Sequence, residues 1–250
     1  MRRAADRGIE VLAVTDHDTL AALGSAQRAA HAAGITLVQG VELSVTVDGT
    51  EVHLLGYGFD PTHAGLQEHC TAFMEARATR MQHMVDQLRN VGVKITEADV
   101  RAEAESAQAY GRPHVAAALV TRGVVATAKE AFDRYLTPDT PGYVPKPEVP
   151  AREVLDLVHE AGGIGVLAHP GHWTSSRHVV ALIRAGLDGI EVVHPSHDNH
   201  LEDYYRRLAA RNDLVATGGS DDHGRARDDT RLGRIGLSQT AWERIEPVLT

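Results

Sequence analysis

The chain has 250 residues, 43% of them hydrophobic and 24% charged, a globular mixture that excludes disordered and fibrous architectures. Lysine and arginine number 25 against 34 aspartates and glutamates, a formal charge of −9, so the basic footprint of a duplex-DNA binder is missing and any phosphate must be held locally. A single cysteine, Cys70, rules out an intrachain disulfide and a thiolate metal cage. No apolar run approaches the roughly 18 residues a membrane span needs, and no hydrophobic signal core follows Met1. A cytoplasmic protein without a membrane partner is expected.

Residues 9–15, Ile-Glu-Val-Leu-Ala-Val-Thr, form the nearly continuous apolar run of a strand covered on both faces. The run ends in Asp16-His17-Asp18. Residues 20–33 are alanine-rich and stop at Gly34, which predicts a helix with a glycine cap. Residues 35–39 predict a second strand. Residues 41–47 and 51–57 flank Asp48-Gly49-Thr50, a hairpin signal that would set Glu42 and His53 on neighbouring strands. From residue 61 the pattern turns helical, with a long helix over 66–91 and another opened by Thr96, a capping residue. Gly111-Arg112-Pro113-His114 opens a third, with proline in its first turn, and residues 128–136 a fourth.

Prolines 138, 141, 145, 147 and 150 mark an extended return. Helices over 152–161, 176–185 and 199–212 then alternate with strands over 164–168, 189–193 and 214–217, and residues 234–237 predict a last short strand. Alternation of this kind predicts an α/β fold of βα units around a parallel sheet. The expected organisation is a barrel domain from residues 1–60 and 146–250, with a helical insertion over 61–145.

Histidine is over-represented, at 15 residues against 2 Trp, 6 Tyr and 3 Phe. Ligand-type residues recur where the predicted strands end, the active face of parallel α/β folds. The ends carry Asp16-His17-Asp18, His169-Pro170, His194-Pro195-Ser196-His197 and Ser220-Asp221-Asp222-His223, and the hairpin adds Glu42 and His53. One such histidine alone is more often a solvated loop residue; several strand ends together reverse that balance. A nitrogen and oxygen set without sulfur suits Zn, Mn or Fe. The six strongest candidates, His17, Glu42, His53, His169, Asp221 and His223, exceed what one tetrahedral ion uses. His31, His63, His69, His83, His159, His172, His178 and His200 are expected on the surface.

Arg80 on the long helix, and Arg112 with His114 at a helix start, are candidate phosphate contacts. A guanidinium grips phosphate oxygens in a fork, and a helix N-terminus adds backbone donors. No Walker lysine motif, His-Glu-x-x-His or Gly-x-Ser-x-Gly is present, so P-loop, zincin and serine-hydrolase chemistry lack an anchor.

The segments Val14-Thr15-Asp16-His17-Asp18, Gly40-Val41-Glu42-Leu43-Ser44, His53-Leu54-Leu55-Gly56-Tyr57, Gly111-Arg112-Pro113-His114, Ala168-His169-Pro170 and Gly219-Ser220-Asp221-Asp222-His223-Gly224 together resemble a PHP domain, the polymerase and histidinol phosphatase family. Their order and spacing hold from residue 9 to about 237. The subgroup most similar is that of stand-alone phosphoesterases acting on nucleotides, including nucleoside 3′,5′-bisphosphate phosphatases and 5′-to-3′ exoribonucleases. The resemblance implies a distorted (β/α)7 barrel with up to three divalent ions at its mouth. It matches His17, Glu42, His53, His169, Asp221 and His223 to the family's ligands, with Glu42 as the bridge, and sets Arg112, His114 and His197 near the phosphates.

Family members open with an Asp-Leu-His-x-His strand and, shortly after, a metal-binding aspartate. Residues 1–8 resemble the helix that follows that strand. The chain is therefore expected to lack the first barrel strand and three ligands, and to hold one or two ions. The implied activity is metal-dependent hydrolysis of nucleotide phosphomonoesters, a nucleoside 3′,5′-bisphosphate or an RNA 5′ end, by a metal-activated water. Asp222 or His197 is the expected general acid. The substrate would be a small phosphate ester or a short oligonucleotide end. The alternatives are a histidinol-phosphate phosphatase with the same mouth, or a catalytically impaired PHP module serving as a scaffold.

Overall fold

A computed structural model describes residues 1–104, 110–224 and 231–249. The chain divides into two compact units, Met1–Glu68 with Glu148–Thr250, and His69–Pro147.

In the first unit a single turn, α1 (Arg2–Ala5), precedes β1 (Val11–Val14). The following helix, α2 (Leu23–Ala33), stops at Gly34 with φ 69°, a left-handed cap that glycine adopts without a side-chain clash. The chain then enters β2 (Thr36–Val47), which merges the two short strands expected at 35–39 and 41–47. The first part of β2 pairs parallel with β1, Val11 against Thr36 and Val14 against Gln39. Its second part pairs antiparallel with β3 (Thr50–Tyr57). Gly40 stands at the changeover, where a Cβ would lie 2.8 Å from both the Val14 carbonyl and the Thr15 methyl. The missing side chain lets the end of β1 approach, so the strand continues unbroken. Asp48 (φ 48°) and Gly49 (φ 75°) close the hairpin, both in the left-handed region that matches strand twist in a two-residue turn.

Beyond the second unit, α7 (Ala151–Glu160) leads to β4 (Ile164–Leu167), antiparallel to β3. Two crossover helices, α8 (Ser176–Ala185) and α9 (Asn199–Arg211), then connect β4, β5 (Gly189–Val193) and β6 (Val215–Gly218), which pair parallel. Each helix covers the sheet with one apolar stripe: Val154, Leu155 and Val158 on α7, Val179 and Leu182 on α8. The result is a mixed six-stranded sheet in sequential order, curled into a half-barrel. The strand expected over 234–237 does not form. Arg234 and Ile235 donate their main-chain N–H groups to the Arg231 carbonyl, a local turn that uses the donors a ladder would need. The unit ends with α10 (Gln239–Ile245).

The second unit is helical. It holds most of α3 (Ala64–Asn90), then α4 (Glu97–Glu103), α5 (Arg112–Thr121) and α6 (Ala128–Ala131), the last running into a π-helical turn at Phe132–Leu136. A reciprocal box between Thr96 and Asp99 caps α4. Met81, Met84, Leu88, Ile95, Val100, Val115, Leu119 and Leu136 form the core. Among the described residues, no helix is long and apolar enough to cross a membrane.

Candidate metal centre

The site is built around Glu42, a carboxylate inside β2 that is only 5% exposed. Main-chain bonds beyond the end of β1 position its first neighbour: Asp18 N–H donates to the Glu42 carbonyl at 2.7 Å, and Glu42 N–H to the Asp16 carbonyl at 3.1 Å. The buried Asp18 carboxylate reinforces them, accepting from Ser44 N–H at 2.7 Å and Ser44 Oγ–H at 3.0 Å. This clamp holds Asp18 in the left-handed region, φ 54°. It leaves His17 Nε2 3.5 Å from Glu42 Oε2.

On β3, Leu55 stands opposite Glu42, and His53 opposite Ser44. His53 is thus diagonal to Glu42 on one face of the sheet, with Nδ1 2.7 Å from Oε1. The third imidazole follows β4. His169, at φ 25°, donates Nε2–H to Glu42 Oε1 at 2.9 Å and its main-chain N–H to Glu191 Oε2 at 2.7 Å.

Asp221 and His223 come from the turn after β6. Asp221 Oδ2 lies 3.6 Å from His194 Nε2, and Oδ1 3.5 Å from His223 Nδ1. The rings of His223, His17, His53, His169 and His194 form a continuous row, with successive centroids 6.4, 5.3, 5.4 and 5.3 Å apart. All six residues singled out as ligands therefore meet at one mouth.

The electrostatics follow from this crowding. Burial alone would raise the Glu42 pKa, but His169, His53 and His17 outweigh it and hold the carboxyl below the ordinary carboxylate range. Burial depresses His53, yet Glu42 and Glu51 carry it up to about 9. His169 is raised the same way, burial opposing and Glu42 prevailing. At Asp221, burial is outweighed by His194 and His223, and the carboxyl is lowered. At Glu191 the balance goes the other way: burial outweighs His194 and His169 and pushes the carboxyl up to about 7.

The residues fit a divalent cation. Ligand atoms of His17, Glu42 and His53 all lie within 4.8 Å of one another. Buried His53 Nδ1, although close to Glu42, makes no hydrogen bond of acceptable direction among the described residues. Imidazole nitrogens and a shared carboxylate are the donor set that Zn, Mn or Fe accepts.

Two expected roles do not fit the geometry. Asp222 Oδ1 accepts from Gly224 N–H at 2.6 Å and Oδ2 from Arg3 Nη2 at 3.2 Å, so the carboxylate accepts at both oxygens and is not poised to release a proton. His197 donates Nδ1–H to the Val192 carbonyl at 2.8 Å, and its Nε2 accepts from Gly171 N–H at 3.0 Å. Both ring nitrogens are spent on pinning the turn after His169, which leaves neither for an acid or a phosphate contact.

The three candidate phosphate contacts lie in the second unit. Arg80 is buried, its Nε donating to the Val144 and Pro145 carbonyls at 2.8 and 3.1 Å, so this atom clamps the extended segment. Arg112 donates to the Leu136 carbonyl at 3.3 Å and lies over the rings of Phe132 and Tyr143. His114 Nδ1 accepts from Gly111 N–H at 3.1 Å, while burial and the Arg77 charge lower its pKa.

Sequence reasoning missed Glu191, and it placed Asp18 and His194 at strand ends without giving either a role. An available signal was a carboxylate inside an apolar strand, Gly-Ile-Glu-Val-Val, since a buried charge needs a partner.

No family model matches the chain. It is 34% identical over 255 residues to a 3′,5′-nucleoside bisphosphate phosphatase of Chromobacterium violaceum, covering 98% of this chain and 89% of that protein. It is 31% identical over 230 residues to a 5′-3′ exoribonuclease of Haemophilus influenzae, covering 89% of this chain and 82% of the relative. A crystal structure described as a metal-dependent phosphoesterase from Bifidobacterium adolescentis superposes with a TM-score of 0.80 at 31% identity, covering 100% of this chain and 89% of that one. With relatives this similar over nearly their whole length, the chain belongs to the PHP-type phosphoesterases and is a metal-dependent phosphoester hydrolase.

Proposed function

We propose that the chain hydrolyses phosphomonoesters of nucleotides, a nucleoside 3′,5′-bisphosphate or the 5′ end of a short RNA. The reading takes the six-stranded sheet as part of a PHP-type (β/α)7 barrel over residues 1–60 and 146–250, with 61–145 as its insertion. The observation that carries it is the convergence of His17, His53 and His169 on the single carboxylate of Glu42. The substrates named for the two relatives support the nucleotide assignment.

Glu42 would hold the cation together with the three imidazoles, since Oε1 faces His53 and His169 while Oε2 faces His17. Asp221 and His223 would complete the ligand set. A divalent ion held there, Mn, Zn or Fe, supplies charge against the phosphoryl oxygens and acidifies a water. The protein's own contribution is to keep Glu42 ionised in a buried position and to hold the imidazoles at fixed angles through Asp18 and Glu191. Positioning of this kind commonly changes metal affinity or activity 10- to 100-fold. Arg112 and His114 are assigned to the substrate's phosphate on the Gly-Arg-Pro-His motif alone.

The test is a substrate panel with the purified chain and added Mn: adenosine 3′,5′-bisphosphate, a 5′-phosphorylated oligoribonucleotide and histidinol phosphate. Phosphate or nucleotide release from the first two, abolished by a chelator, is expected. Preference for histidinol phosphate would replace the nucleotide reading. No turnover and no bound cation would leave a scaffold.

A further inference from the structure

Two histidines follow β5, and the structure sets them in opposite tautomers. Gly171 N–H donates to Nε2 of His197, so the proton of that neutral ring sits on Nδ1 and goes to the Val192 carbonyl. At His194 the donation is reversed. Ser196 main-chain N–H donates to Nδ1 at 3.1 Å, and the Ser196 hydroxyl lies 2.7 Å from the same atom. Nδ1 therefore presents its lone pair, and the proton of the neutral ring is on Nε2.

That Nε2 is buried and has no hydrogen-bond partner among the described residues, in a side chain only 7% exposed. The nearest carboxylate oxygen, Asp221 Oδ2, is 3.6 Å away, beyond hydrogen-bond reach. The ring stands 5.3 Å from that of His169, so the unused donor is at the mouth. A buried donor left unpaired costs about 1–3 kcal/mol, and a phosphoryl oxygen arriving beside the cation ligands would satisfy it.

We propose that His194 Nε2–H is a fixed donor to a non-bridging phosphoryl oxygen of the substrate, and not a cation ligand. Its proton is set by Ser196, so it is in place before the substrate arrives and needs no rearrangement as charge builds on the oxygen. The inference rests on the phosphoester reading above and adds the residue that orients the phosphoryl group.

The test uses the cation-loaded protein with inorganic phosphate as the probe. It follows phosphate affinity and cation stoichiometry in His194→Ala and His194→Gln, and the imidazole nitrogen resonances of the unsubstituted protein. His194→Ala should weaken phosphate roughly 10- to 100-fold with cation stoichiometry unchanged. His194→Gln, whose amide can donate from a similar position, should recover most of that loss. The His194 nitrogens should report the Nε2–H tautomer and shift on adding phosphate. If the alanine variant does not fold, the glutamine variant and the resonances decide. Loss of a bound cation in the glutamine variant, a deprotonated Nε2, or phosphate affinity indifferent to both substitutions overturns the proposal. Phosphate binding that depends on His194, in a protein that hydrolyses no phosphate ester, would sink the hydrolase reading and leave this one standing. Turnover with His194-independent phosphate binding would do the reverse.

Discussion

The helical unit buries hydrocarbon and thioether: Met81, Met84, Leu88, Ile95, Val115 and Leu119 are closed off from solvent and packed on one another. At its mouth the sheet unit buries Asp18, Glu42, Glu191, His194, His197 and Thr217. The first kind of interior gains from every methylene removed from water, and its energy spreads over many interchangeable contacts. The second kind loses hydration at each polar atom and recovers it only through named partners. Damage to the helical unit should therefore appear as lost stability. Damage at the mouth should appear as lost metal and turnover.

The sharpest break of that contrast is Glu42→Gln. It removes the carboxylate that three imidazoles share, so bound cation and cation-dependent turnover should fall together, by about 1,000-fold or more for turnover, beyond the range typical of positioning residues. Metal analysis beside phosphate-release kinetics checks it, and a variant retaining both would remove Glu42 from the centre.

In the helical unit, Leu119→Ala should cost about 2–5 kcal/mol of unfolding free energy, as cavity-forming substitutions do. Cation binding in the folded fraction should be unchanged. Denaturant unfolding with and without Mn separates the two effects, and loss of metal affinity in folded protein would blur the distinction.

Glu191 gives the pH-dependent case. Its folded pKa, up to about 7, lies above the ordinary 4.5, so its contribution to stability is fully present below about 4.5 and is lost as pH rises through about 7. Glu191→Gln cannot ionise. In chelated protein the variant should be spared up to about 3 kcal/mol of the stability loss that the parent shows between pH 4.5 and 8. Equal pH slopes in parent and variant would show that Glu191 is ionised throughout.

The smallest expected effect belongs to Asp222→Asn. Its partner Arg3 is partly exposed, so the pair is worth at most about 1 kcal/mol, and turnover should stay within about threefold. A general acid would cost 100-fold or more, and a loss of that size would restore the role the geometry denies it.

Much of the mouth was legible in residue order. Apolar runs ending in Asp-His, Ala-His and Asp-Asp-His place ligand types at strand ends, and the Asp48-Gly49 turn sets His53 beside Glu42. The local signals were weaker where one position serves two purposes. Gly40 reads as a break between strands, yet it is the close approach that makes β2 continuous. Arg234-Ile235-Gly236-Leu237 has the composition of a short strand, but turn bonds to Arg231 satisfy it first.

Residue types, their order and their spacing were enough to determine the alternating α/β pattern, the helical insertion and the imidazoles and carboxylates of the mouth, because periodicity and turn chemistry act over a few neighbours. Which of those groups remain available for chemistry was decided only by the tertiary structure. His197 is consumed by Gly171 and Asp222 by Arg3, 219 positions away, while His194 keeps a donor that none of the described residues receives in a hydrogen bond. The physical reason is that a hydrogen bond assigns each proton to one atom, and the partner that does so is set by how distant segments pack.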